Sequence, residues 1–228
     1  MARLIFFILC FVPKVCFGIS LEKTRIIFTS DKKESYLMIK NDNNFPVVIQ
    51  SWVDDGDLNG SPEKNTGEKI ISINSILKVL PGDIDKIKLL LISDDFDNNK
   101  ETLYWLNIYE IPSYKKNTKK TDNQLSVGIR LQVKVIYRPD NIKVSADHAI
   151  KDIIFYKNKG KVFVENRSPL FITFRAIVNS DNMNESYNIN MLSPYEKKET
   201  SIPLHVRAVS YSIINDYGDE VKNDYKIK

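Results

Sequence analysis

The segment Leu125-Ser126-Val127-Gly128-Ile129-Arg130-Leu131-Gln132-Val133-Lys134-Val135 alternates an aliphatic with a polar or small residue without a break over eleven positions. Side chains leave a β-strand on opposite faces with a period of two, so the pattern specifies a long strand with one wholly aliphatic face. A helix would scatter the same residues around its circumference. Upstream, Thr102-Leu103-Tyr104-Trp105-Leu106-Asn107-Ile108-Tyr109 is a second β-prone run, and the lysine-rich polar stretch 113–124 joins the two as a long hairpin.

Most of the chain reads the same way. Short runs rich in Ile, Val, Tyr and Phe at 35–40, 47–53 and 87–92 are bounded by Asn41-Asp42-Asn43-Asn44, Asp54-Asp55-Gly56-Asp57 and Ser93-Asp94-Asp95, which suits an antiparallel sandwich. After Tyr137-Arg138-Pro139-Asp140-Asn141 the pattern restarts at 153–156, 161–166 and 171–174, with later segments at 187–191 and 206–214. Pro139 and the polar pair behind it mark a domain junction, dividing the chain into domains at 19–140 and 141–228. No amphipathic helix of useful length is present.

The first residues, Met1-Ala2-Arg3, lead into the apolar run Leu4 to Val12, which is too short to span a bilayer and has the length of a secretory signal. Small residues at Cys16 and Gly18 place cleavage after Gly18, giving a signal peptide at 1–18 and export to the periplasm. Both cysteines, Cys10 and Cys16, fall inside that segment, so the exported chain forms no disulfide. Removing Arg3 and Lys14 leaves 31 basic against 29 acidic residues. So small an excess carries no electrostatic footprint for nucleic acid.

Enzymatic constellations are absent from the sequence. Asp55-Gly56-Asp57-Leu58-Asn59-Gly60 imitates the first half of a calcium loop, but its twelfth position is Thr66, where a bidentate acid is required. Asp-Gly turn chemistry accounts for the same residues. The two histidines, His148 and His205, are far apart and have no cysteine partners near them, so no zinc site is expected. With neither a Gly-x-Ser-x-Gly elbow nor a phosphate-binding glycine loop, the reading is no enzyme, no cofactor, no metal and no nucleotide.

Five stretches, in order, give the chain a family likeness: Ile19 to Phe28, Leu106-Asn107-Ile108-Tyr109-Glu110-Ile111-Pro112, Lys134-Val135-Ile136-Tyr137-Arg138-Pro139, Met191-Leu192-Ser193-Pro194 and Ile214-Asn215-Asp216-Tyr217-Gly218. Together they resemble the periplasmic pilus-assembly chaperones of the PapD type, and they span nearly all of the chain beyond the signal. The resemblance implies an all-β fold of two immunoglobulin-like β-sandwich domains set at an angle and joined by a short hinge. It implies a chaperone that protects pilus or fimbrial subunits by donor-strand complementation and hands them to an outer-membrane usher, with self-association when no subunit is bound. One departure is local: before Pro81-Gly82 the family commonly carries a threonine and paired prolines, and this chain has Ile73-Asn74-Ser75.

By the same resemblance, Leu125, Val127 and Ile129 are the donor residues that fill a subunit's apolar groove. Alternation alone equally allows all three to face this chain's own core. Arg25 and Lys134 match the family's basic pair that holds the subunit's C-terminal carboxylate, a suitable target for a guanidinium fork and an ammonium. Strict alternation puts Lys134 opposite the donor face, so either the strand twists or bulges, or the cleft touches both faces. Glu101, Arg138 and Asp216 match a charged set that joins the domains across the hinge. The alternative reading is a secreted immunoglobulin-like adhesin or pilus structural subunit, although a subunit would be one incomplete domain with its donor peptide at the N-terminus.

Overall fold

The computed structural model describes residues 18–64, 69–111 and 128–228. The expected signal segment up to residue 17 lies outside these, as do the donor candidates Leu125 and Val127.

Two sheets build the first domain. One has the order β1 (Ile19–Leu21), β3 (Glu34–Asn41), β7 (Ile84–Leu91), β5 (Ile70–Ser72), all antiparallel. The other runs β2 (Arg25–Thr29), β9 (Ile129–Arg138), β8 (Thr102–Ile111), β4 (Val47–Asp54), β6 (Ile76–Val79), with β2 parallel to β9 and the remaining pairs antiparallel. Period-two burial sets the inner faces: Leu37 and Ile39 on β3, Ile87 and Leu89 on β7, Leu106 and Ile108 on β8, and Val133 and Val135 on β9 pack around Phe28. The short segment between β1 and β2 lets the chain cross from one sheet to the other, so its N-terminal strand closes an edge of each.

The second domain repeats the scheme with a core around Phe155. Its three-stranded sheet is β10 (Ile153–Asn158), β11 (Lys161–Asn166), β15 (Lys197–Glu199). The facing sheet holds β13 (Asn182–Ser186), β12 (Ile172–Asn179), β16 (Ala208–Ile214) and β17 (Glu220–Lys226), with β14 (Met191–Leu192) also paired to β12. Lys159 and Gly160 both have positive φ, 47° and 75°, between the paired ends Asn158 and Lys161. That is the two-residue type I′ geometry that matches the twist of a hairpin.

A buried asparagine ends a strand in each domain and closes the turn behind it. Asn41 donates from Nδ2 to the carbonyls of Phe45 and Val79 and accepts from Asn43 N–H. Asn166 donates likewise to the carbonyls of Leu170 and Ser193 and accepts from Ser168 N–H. Each Asn fills its hydrogen-bonding capacity out of water, as burial demands.

One expected strand is interrupted in the structure and another extends further than its pattern. Residues 187–190 are not a strand: β13 stops at Ser186 and β14 begins at Met191, although Tyr187 N donates to Ile177 O and Asn190 O accepts from Phe174 N. The segment runs beside β12 where the β12–β16 register shifts between Phe174 and Ala176, and a bulge interrupts the ladder. Among the described residues the long alternating strand begins at Ile129 and extends beyond the alternating stretch to Arg138. Asn74, standing where the family commonly has proline, holds its loop by its side chain: Nδ2 donates to Lys86 O at 2.6 Å and Oδ1 accepts from Lys88 N at 2.7 Å.

Candidate functional site

Strand β9 has two unlike halves. Its inner edge pairs with β8 in an unbroken register from Tyr137↔Thr102 to Ile129↔Glu110. Its outer edge pairs with β2 only from Lys134↔Arg25 to Arg138↔Thr29. Among the described residues no strand covers the outer edge of 129–133, which leaves backbone N–H and C=O groups there free for another strand.

The unbroken register means that β9 has no bulge, so alternation holds along its length. Odd-numbered residues face the core side and even-numbered ones the outer face. Val133, Val135 and Tyr137 are buried, but Ile129 on the same side is 53% exposed because the strand runs past the end of the core. Ile129 and Leu131 border an open groove of about 210 Å³ with Gly18, Ile19, Ile108 and Glu110. Ile129 is thus an aliphatic side chain that its own core does not absorb.

The open edge ends at two cations. Arg25 opens β2 and stands in register with Lys134. Arg25 Nη1 donates to Ile214 O of the second domain at 2.9 Å, and its Nε is buried with no hydrogen-bond partner. Lys134 Nζ donates to Thr173 Oγ1 at 2.6 Å and lies 5.5 Å from the centre of the Trp105 ring. Among the described residues neither side chain forms an ion pair with a carboxylate. Burial, then the charge of Arg25, pushes the Lys134 ammonium down to about 8. Burial also lowers Arg25, with Asp216 and Glu101 offsetting part of that effect. The arrangement is a partly dehydrated cationic pair at the end of the stretch of β9 that no described strand covers.

Arg138, four residues further along the same face, is bound on all sides. Its Nε donates to Glu101 Oε1 at 2.6 Å, while Nη1 and Nη2 donate to Asp216 Oδ2 and Oδ1 at 2.7 and 2.8 Å. Glu101 Oε2 in turn accepts from Phe171 N at 2.7 Å. Burial raises the Glu101 carboxyl despite the opposing pull of Arg138. For Arg138 itself burial acts downward, and the carboxylates of Asp216 and Glu101 more than reverse it. Glu101, Arg138 and Asp216 therefore meet, and they span both domains. A bidentate arginine with a fully hydrogen-bonded carboxylate fixes orientation as well as proximity.

Thr173 and Trp105 join the cationic pair without any local signal in the sequence. Thr173 sits in an ordinary strand 39 residues from Lys134, and only the domain arrangement brings them together. Trp105 is set opposite Lys134 by the hairpin register. No helix among the described residues is long and apolar enough to cross a membrane.

Comparison with known proteins converges on one family. Residues 18–143 match the N-terminal domain of PapD, described as a pili and flagellar-assembly chaperone, and residues 148–225 match the C-terminal domain of the pili assembly chaperone PapD. The probable fimbrial chaperone LpfB of Escherichia coli O157:H7 is 29% identical, covering 88% of this chain and 84% of its own. The chaperone protein PapD of Escherichia coli is 28% identical over 88% of this chain and 83% of its own. Among solved structures, the chaperone–pilin complex of SafB with SafA from Salmonella enterica aligns with a TM-score of 0.78 at 20% identity, over 93% of this chain and 98% of that one. The CupB2 chaperone of Pseudomonas aeruginosa aligns with a TM-score of 0.74 at 23% identity, over 91% and 100%. Two sandwich domains, each matched by its own family model, do not fit a one-domain pilus subunit. The chain belongs to the PapD family of pili assembly chaperones, which are not enzymes.

Proposed function

We propose that this protein binds fimbrial subunits along the outer edge of β9, lends them that strand in place of one they lack, and passes them to an outer-membrane usher. The observation that carries the reading is the open edge of 129–133 ending at Arg25 and Lys134, two cations with no carboxylate of their own among the described residues. A subunit strand whose C-terminal carboxylate meets those cations and whose body lies along 129–133 must run parallel to β9. It would then continue the line of β2, which is parallel to β9 already. Main-chain pairing supplies affinity, the anchored carboxylate supplies register, and aliphatic donors fill the partner's groove. Ile129 is one donor, and Leu125 and Val127, outside the described residues, are the others by the period of the sequence.

Glu101, Arg138 and Asp216 hold the two domains so that Thr173 stays against Lys134. The protein works in the periplasm, exported by a signal peptide ending near Gly18. Without a subunit, the same edge is open to a second copy. Periplasmic co-expression with candidate subunits tests the reading through Ile129→Asp. Ile129 is half exposed, so the variant should melt within about 1 kcal/mol of wild type. A charge carried into the partner's apolar groove should nevertheless abolish co-purification. A variant that still recovers subunit at the wild-type yield would contradict strand donation.

A further inference from the structure

The sequence Asp55 to Gly60 imitates the first half of a calcium loop, and in the structure this segment with Asp54 encloses a cation of the chain itself, the guanidinium of Arg130. Nε donates to Asn107 Oδ1 at 2.8 Å, Nη1 to Leu58 O and Gly60 O at 2.9 and 3.2 Å, and Nη2 to Asp54 Oδ2 and Asp57 O at 3.3 and 3.0 Å. The plane also lies 4.9 Å from the Trp52 ring. Asp54 is itself nearly buried, with 4% of its side chain exposed, and it accepts from Trp52 Nε1 and Gly56 N as well. The two glycines are required by this geometry. Gly56 has φ +96°, and a Cβ there would lie 2.5 Å from the Trp105 ring; a Cβ on Gly60 would lie 2.7 Å from Asp54 Oδ2.

We propose that Arg130 is a positioning residue: held by the loop 54–60, it locks the facing of β9 so that Ile129 is presented at the open edge before any partner arrives. The proposal rests on the strand-lending reading and adds how the lent strand is prepared. Arg130 lies in the half of β9 that β2 leaves uncovered, where the β8 ladder and the inward packing of Leu131 and Val133 are the other restraints on register. A slip by one residue would turn every aliphatic side chain to the other face. The guanidinium opposes that slip, because its five acceptors lie on the outer face and belong to β8, β4 and the loop after β4. With Arg130 pinned outward, period two forces Ile129 and Leu131 to the groove side.

Exchanging this lock for a covalent one tests the proposal. Tyr109 and Arg130 are opposite one another in the β8–β9 register, and the chain from Gly18 onward has no cysteine. Tyr109→Cys/Arg130→Cys therefore offers a single disulfide that holds register without the guanidinium. Arg130→Lys is the second variant, since an ammonium keeps Asp54 paired and the fold intact but cannot reach five acceptors in one plane. Amide hydrogen exchange is read on the free protein from Gly18 onward, at those amides of 129–133 that pair with β8.

Exchange there should quicken by about tenfold or more in Arg130→Lys and in the reduced double variant, and the oxidised form should return to within about threefold of wild type. Amides of β3 and β7 should keep their rates. Unchanged exchange in Arg130→Lys would overturn the proposal, as would quickening spread evenly over both sheets or a failure of oxidation to restore protection. The readout needs no partner, so failure here is distinct from failure of subunit binding, which the Ile129→Asp co-purification reads.

Discussion

Lys134 and Arg138 lie four residues apart on the outer face of β9, and they have opposite surroundings. Arg138 is enclosed by two carboxylates of its own chain, one of them only 1% exposed. Lys134 has beside it a neutral hydroxyl, an aromatic ring and a second cation. A charge that is satisfied internally holds structure, whereas under the proposed function the two cations of the partly dehydrated cleft, which form no ion pair with a carboxylate among the described residues, take one from the ligand. The contrast fits the proposed function, in which the two basic clusters of one strand divide the work between building the cleft and using it.

The largest separation of the two should come from Arg25→Ala/Lys134→Ala. Losing two charge-assisted anchors should weaken subunit binding by about a hundredfold or more. The free protein should melt within about 1 kcal/mol of wild type, since the hydrogen bonds to Ile214 O and Thr173 Oγ1 are lost while repulsion between like charges and the burial of two cations are relieved. Titration of the subunit and calorimetry of the free chain check the pair.

Arg138→Ala should behave in the reverse manner. It leaves Glu101 and Asp216 facing each other without their cation, so stability should fall by about 3 kcal/mol, with the loss concentrated at the domain junction. Denaturant unfolding together with small-angle scattering would read both. Stability unchanged in this variant would break the comparison at its structural end.

Acidity sharpens the contrast through Lys134, whose pKa in the free protein is depressed to about 8. The groups facing it are Arg25 from β2, Trp105 from β8 and Thr173 from β12, with Glu101, Arg138 and Asp216 beyond. A bound carboxylate favours the ammonium, so binding takes up a proton once the free lysine has lost it. Affinity should then fall by up to about tenfold per pH unit above pH 8. Folding has the opposite sign: from about pH 8 to the ordinary lysine pKa near 10.4 the unfolded chain holds the extra proton, so this residue's contribution to stability improves as pH rises. Binding and melting followed from pH 7 to pH 10 should diverge, and Lys134→Ala should remove both trends.

The smallest effect belongs to Thr173→Val, which removes the hydroxyl beside Lys134 and should weaken subunit binding by less than about tenfold. A larger loss would mean that the second domain contributes to the anchor more than its hydroxyl.

Local pattern made much of this fold legible. Alternation alone located β9, and segments such as 161–166 coincide with the strand found there. What could not be read locally was pairing across the chain. That β2 covers only half of β9 follows from where the chain crosses between sheets, and no periodicity records it. Alternation put Lys134 opposite Ile129, and the intact register shows that the strand has no bulge between them. The Asp55 to Gly60 segment was readable as turn chemistry, yet its partner Arg130 lies some seventy residues away in sequence. Short edge strands such as β15, whose residues are Lys, Lys and Glu, carry no apolar signal at all.

The central claim is that Arg25 and Lys134 wait for a carboxylate at the end of a strand laid along 129–133. It is tested most directly by titrating the full chain with two synthetic peptides of alternating aliphatic sequence, one ending in a free carboxylate and the other in an amide. The carboxylate form should bind about tenfold tighter or more, and that preference should vanish in Arg25→Ala/Lys134→Ala. Equal binding of the two peptides to the wild-type chain, or a preference that survives the double replacement, would contradict the account.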